Sequence, residues 1–105
     1  MDVQIKKGML DVCVLAVLKR GDSYGYRIIR DISGCIKISE STLYPILKRL
    51  ETEGCLSPYS VVHNGRLRKY YHLTSIGEMH IQSFLQEWDE IVQIHDFITQ
   101  EENMK

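Results

Sequence analysis

Three basic side chains crowd one tight turn and its exit: Arg66, Arg68 and Lys69 follow His63-Asn64-Gly65. Asn-Gly is the strongest short hairpin signal, and a turn needs small and polar residues, but turn chemistry does not call for so many charges of one sign. At the tip of a hairpin such cations reach phosphates or an adjacent minor groove. A second set lies upstream. Ser41, Thr42 and Tyr44 open an apolar-periodic stretch, and Lys48 and Arg49 follow a turn later. Polar side chains beside the free amides of a helix N-terminus can approach base edges and phosphates, and the two cations suit backbone phosphates.

Enzyme chemistry finds no such grouping. His63, His72, His80 and His95 show no i, i+4 metal spacing, and no carboxylate pair or glycine-rich phosphate loop presents itself. The expectation is a non-enzyme without metal or cofactor. Three cysteines, Cys13, Cys35 and Cys55, are an odd number without CxxC spacing, which argues against a disulfide framework or a zinc site. No apolar run is long enough to span a membrane, and Asp11 interrupts the one stretch that imitates a signal peptide. A complete, cytoplasmic, single-domain chain is expected.

The net charge of −1 conceals a division. Residues 1–73 carry 12 basic against 7 acidic side chains, whereas residues 74–105 carry 1 against 7. A basic body and an acidic tail imply that only the first faces a polyanion.

The elements that position these residues follow from periodicity. Residues 6–20 predict a first helix, apolar nearly all round. Ser23 is read as the N-cap of a second, running from Tyr24 to about Ile32 and closed by Ser33-Gly34. Leu43, Ile46, Leu47 and Leu50 mark the buried face of a third, ended by Gly54. Pro45 is tolerated best in a first turn, which favours a start near Ser41 rather than Ser39. Leu56–His63 and Arg68–Leu73 alternate as strands around Asn64-Gly65, with Pro58 pointing to an edge strand. Thr74 caps a long helix reaching about Glu101. The fold expected is mainly α with a small β-hairpin: a winged helix-turn-helix over residues 1–74 and a C-terminal dimerisation helix over 75–105.

Along that last helix Ile81, Phe84, Trp88, Ile91, His95 and Ile98 step by 3, 4, 3, 4 and 3, a coiled-coil seam that Leu85, Val92 and Ile94 widen. Such a length of apolar stripe exceeds what a small core can cover, so a second copy is the expected partner. Trp88 lies mid-seam, where a flat ring serves an interface core or an aromatic ligand.

Three stretches carry a resemblance: Gly21-Asp22-Ser23-Tyr24-Gly25-Tyr26; Ser41 through Gly54 (STLYPILKRLETEG); and Gly65 through Thr74 (GRLRKYYHLT), with Gly77. Together they resemble the PadR family of bacterial regulators, from about Met9 to Trp88. The resemblance implies a dimeric winged-helix repressor of a palindromic DNA operator, released by a small molecule. It implies groove contacts by Ser41, Thr42, Tyr44 and Lys48, with Arg66, Arg68 and Lys69 in the wing. The single C-terminal helix is similar to the short subfamily, in some members of which a tryptophan at the matching place stacks on flat ligands. By that likeness Trp88, Phe84, Val92, Met9 and Val12 form a site for a planar or aromatic effector. Glu40-Ser41 stands where many members have Pro-Gly. Two other readings stay open: a redox-responsive regulator using Cys35 or Cys55, and a winged helix used only for protein contacts.

Overall fold

A helix that is apolar on nearly every side has to be wrapped by the rest of its chain, and this constraint organises the molecule. The computed structural model describes residues 3–103, with side chains described from residue 8 to residue 100. The elements are α1 (Val3–Lys19), β1 (Ser23–Tyr24), α2 (Gly25–Ile32), α3 (Glu40–Thr52), β2 (Leu56–His63), β3 (Arg66–Leu73) and α4 (Ser75–Asn103). On α1, Leu10, Asp11, Val12, Val14, Leu15, Val17 and Leu18 are all buried. Ile28 and Ile32 of α2, the Leu43/Ile46/Leu47/Leu50 face of α3, Tyr71 of β3 and Ile81 of α4 complete one core with them.

Most boundaries follow the local signals. Gly54, at φ +81°, takes the left-handed conformation beyond α3. Cys55 N–H donates to Leu50 C=O at 2.8 Å and Gly54 N–H to Glu51 C=O at 3.0 Å, the paired bonds of a Schellman stop. Asn64 (φ 51°) and Gly65 (φ 78°) form a two-residue turn with both residues left-handed, the type I′ geometry that joins twisted strands. Pro58 sits on β2, an edge strand in the sheet order β1-β3-β2. Thr74 caps α4: its Oγ1 accepts from Gly77 N–H at 3.1 Å and donates to Gly54 C=O at 2.6 Å, tying the start of α4 to the end of α3.

Three expectations are corrected. Ser23 does not cap α2. It is buried in a short strand against Tyr71, its Oγ accepts from Arg27 Nε at 3.0 Å, and Tyr24 is the N-cap without a side-chain bond. A two-residue strand has no periodicity to read, and its pairing with β3 is wholly tertiary. The third helix starts at Glu40, with Ser39 as N-cap, so Pro45 lies in its second turn. An interior proline costs about 3 kcal/mol. Four buried aliphatic side chains at roughly 1.5–3 kcal/mol each outweigh that. The second hairpin strand begins at Arg66, two residues earlier than its alternation indicates.

One charged pair inside this core stands out. Asp11 is 6% exposed on α1, and Arg49 of α3 grips it with two bonds of 2.6 and 2.7 Å. Arg49 keeps partial access to water and Asp11 does not. Removing the cation therefore strands a buried carboxylate, which costs more than removing the anion. Arg49→Ala is expected to lower unfolding free energy by about 3 kcal/mol, and adding Asp11→Ala to recover a large part of it. Denaturant titration of the single and double variants checks this; strict additivity would contradict it.

Candidate nucleic-acid interface

The hydroxyls at the start of α3 form a cluster. Ser39 Oγ lies 2.8 Å from Ser41 Oγ and 3.3 Å from Thr42 Oγ1, all exposed. Ser39 C=O accepts from Thr42 and Leu43 N–H, so the amides of Glu40 and Ser41 precede the first helical bonds. Exposed Tyr44 and Lys48 stand four residues apart and share a face of α3. Arg49 does not join them. Beside Lys48 in sequence, it turns inward onto Asp11 instead of outward to a phosphate. No local pattern marks that partner, which lies 38 residues away.

The wing divides its cations between two faces. Strand alternation puts Arg66, Arg68 and Tyr70 on one side of β3 and Leu67, Lys69 and Tyr71 on the other. Arg66 pairs across the turn with His63 and is exposed at the tip. Lys69 Nζ lies 3.6 Å from Glu51 of α3 and 5.5 Å from the centre of the Tyr71 ring. The guanidinium carbon of Arg68 sits 4.1 Å over Tyr24. Tyr24 meets Tyr70 edge-on at 5.4 Å, and Tyr70 stacks on Tyr59 at 5.6 Å. Sequence reading missed this tyrosine ladder. Tyr59 and Tyr70 are strand residues whose pairing follows from the hairpin register, but Tyr24 arrives only with β1.

Between α3 and the wing lie two concavities that have Tyr44, Lys69 and Tyr71 in common. One of about 440 Å³ is lined by Tyr24, Gly25, Tyr26, Tyr44, Arg68, Lys69 and Tyr71. The other, of about 340 Å³, is lined by Tyr44, Lys48, Glu51, Lys69 and Tyr71. Thus Tyr44 of α3 and Lys69 of the wing line both, Arg68 only the first and Lys48 only the second, whereas Ser41, Thr42 and Arg66 lie outside either lining.

Gly25 controls one wall. A Cβ there would come within 2.7 Å of Tyr44 Oη. The obstructing atom is the end of a side chain, so an added methyl displaces the ring rather than the backbone. Gly25→Ala is expected to leave the fold intact by circular dichroism while shifting the ring resonances of Tyr44 in the NMR spectrum. Unshifted Tyr44 resonances would contradict this contact.

The wing root is tied down by Asp22, in the turn after α1. Its carboxylate accepts from Tyr59 Oη of β2 at 2.7 Å and lies 2.7 Å from His72 Nδ1 of β3. Arg27 Nη2 donates to its backbone carbonyl at 2.6 Å. The bond from Tyr59, then that from His72, hold the Asp22 carboxyl below its ordinary value. The same bond raises the Tyr59 phenol. A folded value below the unfolded one means that the cluster stabilises above the ordinary carboxylate range and loses that contribution as pH falls through the lowered value. Asp22→Asn should therefore lower the thermal midpoint slightly at pH 7, and the difference should shrink toward zero in strong acid. A difference that grows with acidification would contradict this sign.

The far end of the molecule is apolar. Ile81, expected in the dimer seam, is 5% exposed and belongs to the chain's own core, and Phe84 packs partly against it. Beyond them Leu85, Trp88, Ile91, Val92, Ile94, Phe97 and Ile98 are 40–67% exposed. Trp88 stacks on Phe84 with ring centres 6.3 Å apart. Val12, expected beside Trp88 in a ligand site, is buried, while Met9 is half-buried. Among the described residues no helix is long and apolar enough to cross a membrane.

Comparison with known proteins agrees with this geometry. Residues 14–83 match the model of the transcriptional regulator PadR-like family. A crystal structure of a protein from Streptococcus mutans UA159 is 45% identical, covering 90% of this chain and 89% of that one, with a TM-score of 0.78. A PadR-like transcription factor from Bacteroides fragilis is 34% identical over 90% of this chain and 94% of its own, with a TM-score of 0.82. Bacillus subtilis PadR in complex with operator DNA is 26% identical over 73% of this chain and 46% of that one, with a TM-score of 0.69.

Proposed function

The chain belongs to the transcriptional regulator PadR-like family, and from that premise we propose that it binds double-stranded DNA as a homodimer, reading a two-fold-symmetric operator and answering to a planar aromatic effector. The family is one of transcription regulators and not of enzymes. The observation that carries the DNA reading is that Tyr44 of α3 and Lys69 of the wing line two neighbouring concavities together, with Arg68 in the lining of one and Lys48 in that of the other. In this reading the start of α3, with Ser41, Thr42 and Tyr44, enters the major groove. Lys48, Arg66, Arg68 and Lys69 neutralise phosphates on either side. Arg49 is left out, because both arms of its guanidinium are held by Asp11. The likeness to a PadR solved with operator DNA supports this assignment.

Helix α4 calls for a second copy. At 29 residues it is about 43 Å long, and seven large apolar side chains are exposed between Leu85 and Ile98. A patch of this size does not stay in water. The seam thus runs through Trp88, Ile91, His95 and Ile98, with Phe84 at its inner end and Ile81 excluded. Trp88 and Phe84, already stacked, with Val92 and Met9, supply flat and soft surfaces for an aromatic ligand between the copies. As the only tryptophan, Trp88 should quench when planar cationic or phenolic compounds bind, and silence across such a panel would remove the effector site.

Two measurements test the rest. Sedimentation at micromolar concentration should give a dimer, and Trp88→Glu should give monomers; a wild-type monomer would refute the seam. DNA affinity should fall steeply with salt, because each phosphate contact releases counterions. Lys48→Ala should flatten that log–log slope by about 2 per dimer, one contact per half-site. A salt-insensitive or absent interaction would favour a winged helix that only meets proteins.

A further inference from the structure

We propose that Glu51 of α3 stands in for a DNA phosphate: its carboxylate occupies Lys69 of the wing until DNA displaces it, and this holds DNA affinity down. Lys69 Nζ lies 3.6 Å from Glu51 Oε1. The ion pairs among the described residues take in Lys69 but none of Lys48, Arg66 and Arg68, the other cations assigned to phosphates. Glu51 is also the one carboxylate in the lining of either concavity between α3 and the wing, where it meets three cations, Lys48, Arg68 and Lys69. A negative charge amid a surface that faces a polyanion opposes binding, and this one is paired with a cation of that surface.

The pair is placed to open. Both side chains touch water, Lys69 at 55% exposure and Glu51 at 35%, so one anion can replace another at the amine without a charge being buried. The Lys69 ammonium also lies 5.5 Å from the centre of the Tyr71 ring, which is itself buried in the core. That ring face favours the same position of the amine whether its anion is Glu51 or a phosphate. Lys69 therefore does not need Glu51 to hold it ready.

A phosphate and the Glu51 carboxylate repel each other at close range and cannot both lie against one amine without loss. Each contact of Lys69 with DNA thus begins by breaking an ion pair, and the freed carboxylate takes a cation back from solution. Neutralising Glu51 removes both penalties. This inference rests on the DNA-binding reading and goes beyond it by naming a residue that opposes binding.

The test measures the affinity of the full chain for a mixed-sequence duplex at fixed low salt. Glu51→Gln, which keeps the size of the side chain, should raise affinity by about threefold per half-site, or about tenfold for a dimer. Glu51→Ala, a good helix former, should repeat the gain. The log–log salt slope of Glu51→Gln should steepen by up to about 2 per dimer, because no freed carboxylate takes up a cation. Lys69→Met, which keeps an apolar stem beside Tyr71, should weaken binding. Adding Glu51→Gln to that variant should then change affinity by less than about twofold. Unchanged or lower affinity of Glu51→Gln, with the wild type binding, would overturn the inference and leave the DNA reading standing. A gain that persists in full on the Lys69→Met background would overturn it too, since Glu51 would then act by general repulsion and not through this amine. If no form of the chain binds the duplex, the DNA reading falls and the inference with it.

Discussion

The grip of Arg49 on Asp11 sets the frame within which α3 can present anything to a ligand. Helix α1 is wrapped on almost every side, so an aspartate on it has no route to water and needs a cation brought to it. That cation comes from α3, so the rotation of α3 about its own axis is fixed by a charge requirement as well as by its apolar face. With Arg49 turned inward, Tyr44 and Lys48 point the other way. A second pair, Lys19 with Glu78 at 2.7 Å, connects the end of α1 to α4 at the surface. Losing the cation of the internal pair is costly because Asp11 would stay buried without a partner, whereas the outer pair is exposed and weakened by solvent.

The wing is positioned by different means. Its strands emerge from the core at Tyr71 and lose burial toward the tip, so hydrophobic packing cannot hold them beyond their root. Polar and aromatic contacts take over. Asp22 joins both strands to the turn after α1, and the ladder Tyr24–Tyr70–Tyr59 gives Arg68 a ring to lie on. A guanidinium resting on a ring face loses less freedom on meeting a phosphate than one waving in water.

The division between what was legible in the residue order and what was not follows the range of each interaction. Helix faces, the Asn64-Gly65 turn, the Thr74 cap and the Gly54 stop depend on neighbours a few positions apart, and all are visible in the chain. Ser23, Arg49, Ile81 and Val12 have suitable types for cap, phosphate contact, seam and ligand wall. Their actual partners are supplied by distant segments. Tyr71, Asp11 and the core decide those four positions, and no spacing announces them. Tertiary charge pairing likewise turned Arg49 inward and left Tyr44 and Lys48 at the surface.

Helix α4 has two roles along its length, since its inner part closes the core and its outer part offers an apolar face that one copy leaves in water. If that face is the clasp, two grooves are held at a set separation, and the DNA they select must carry that separation. Selection of bound duplexes from a random pool tests this directly. Inverted repeats whose half-sites are about one helical turn, or a whole number of turns, apart should be enriched. Enrichment of single half-sites without fixed spacing, or no enrichment over the starting pool, would contradict it.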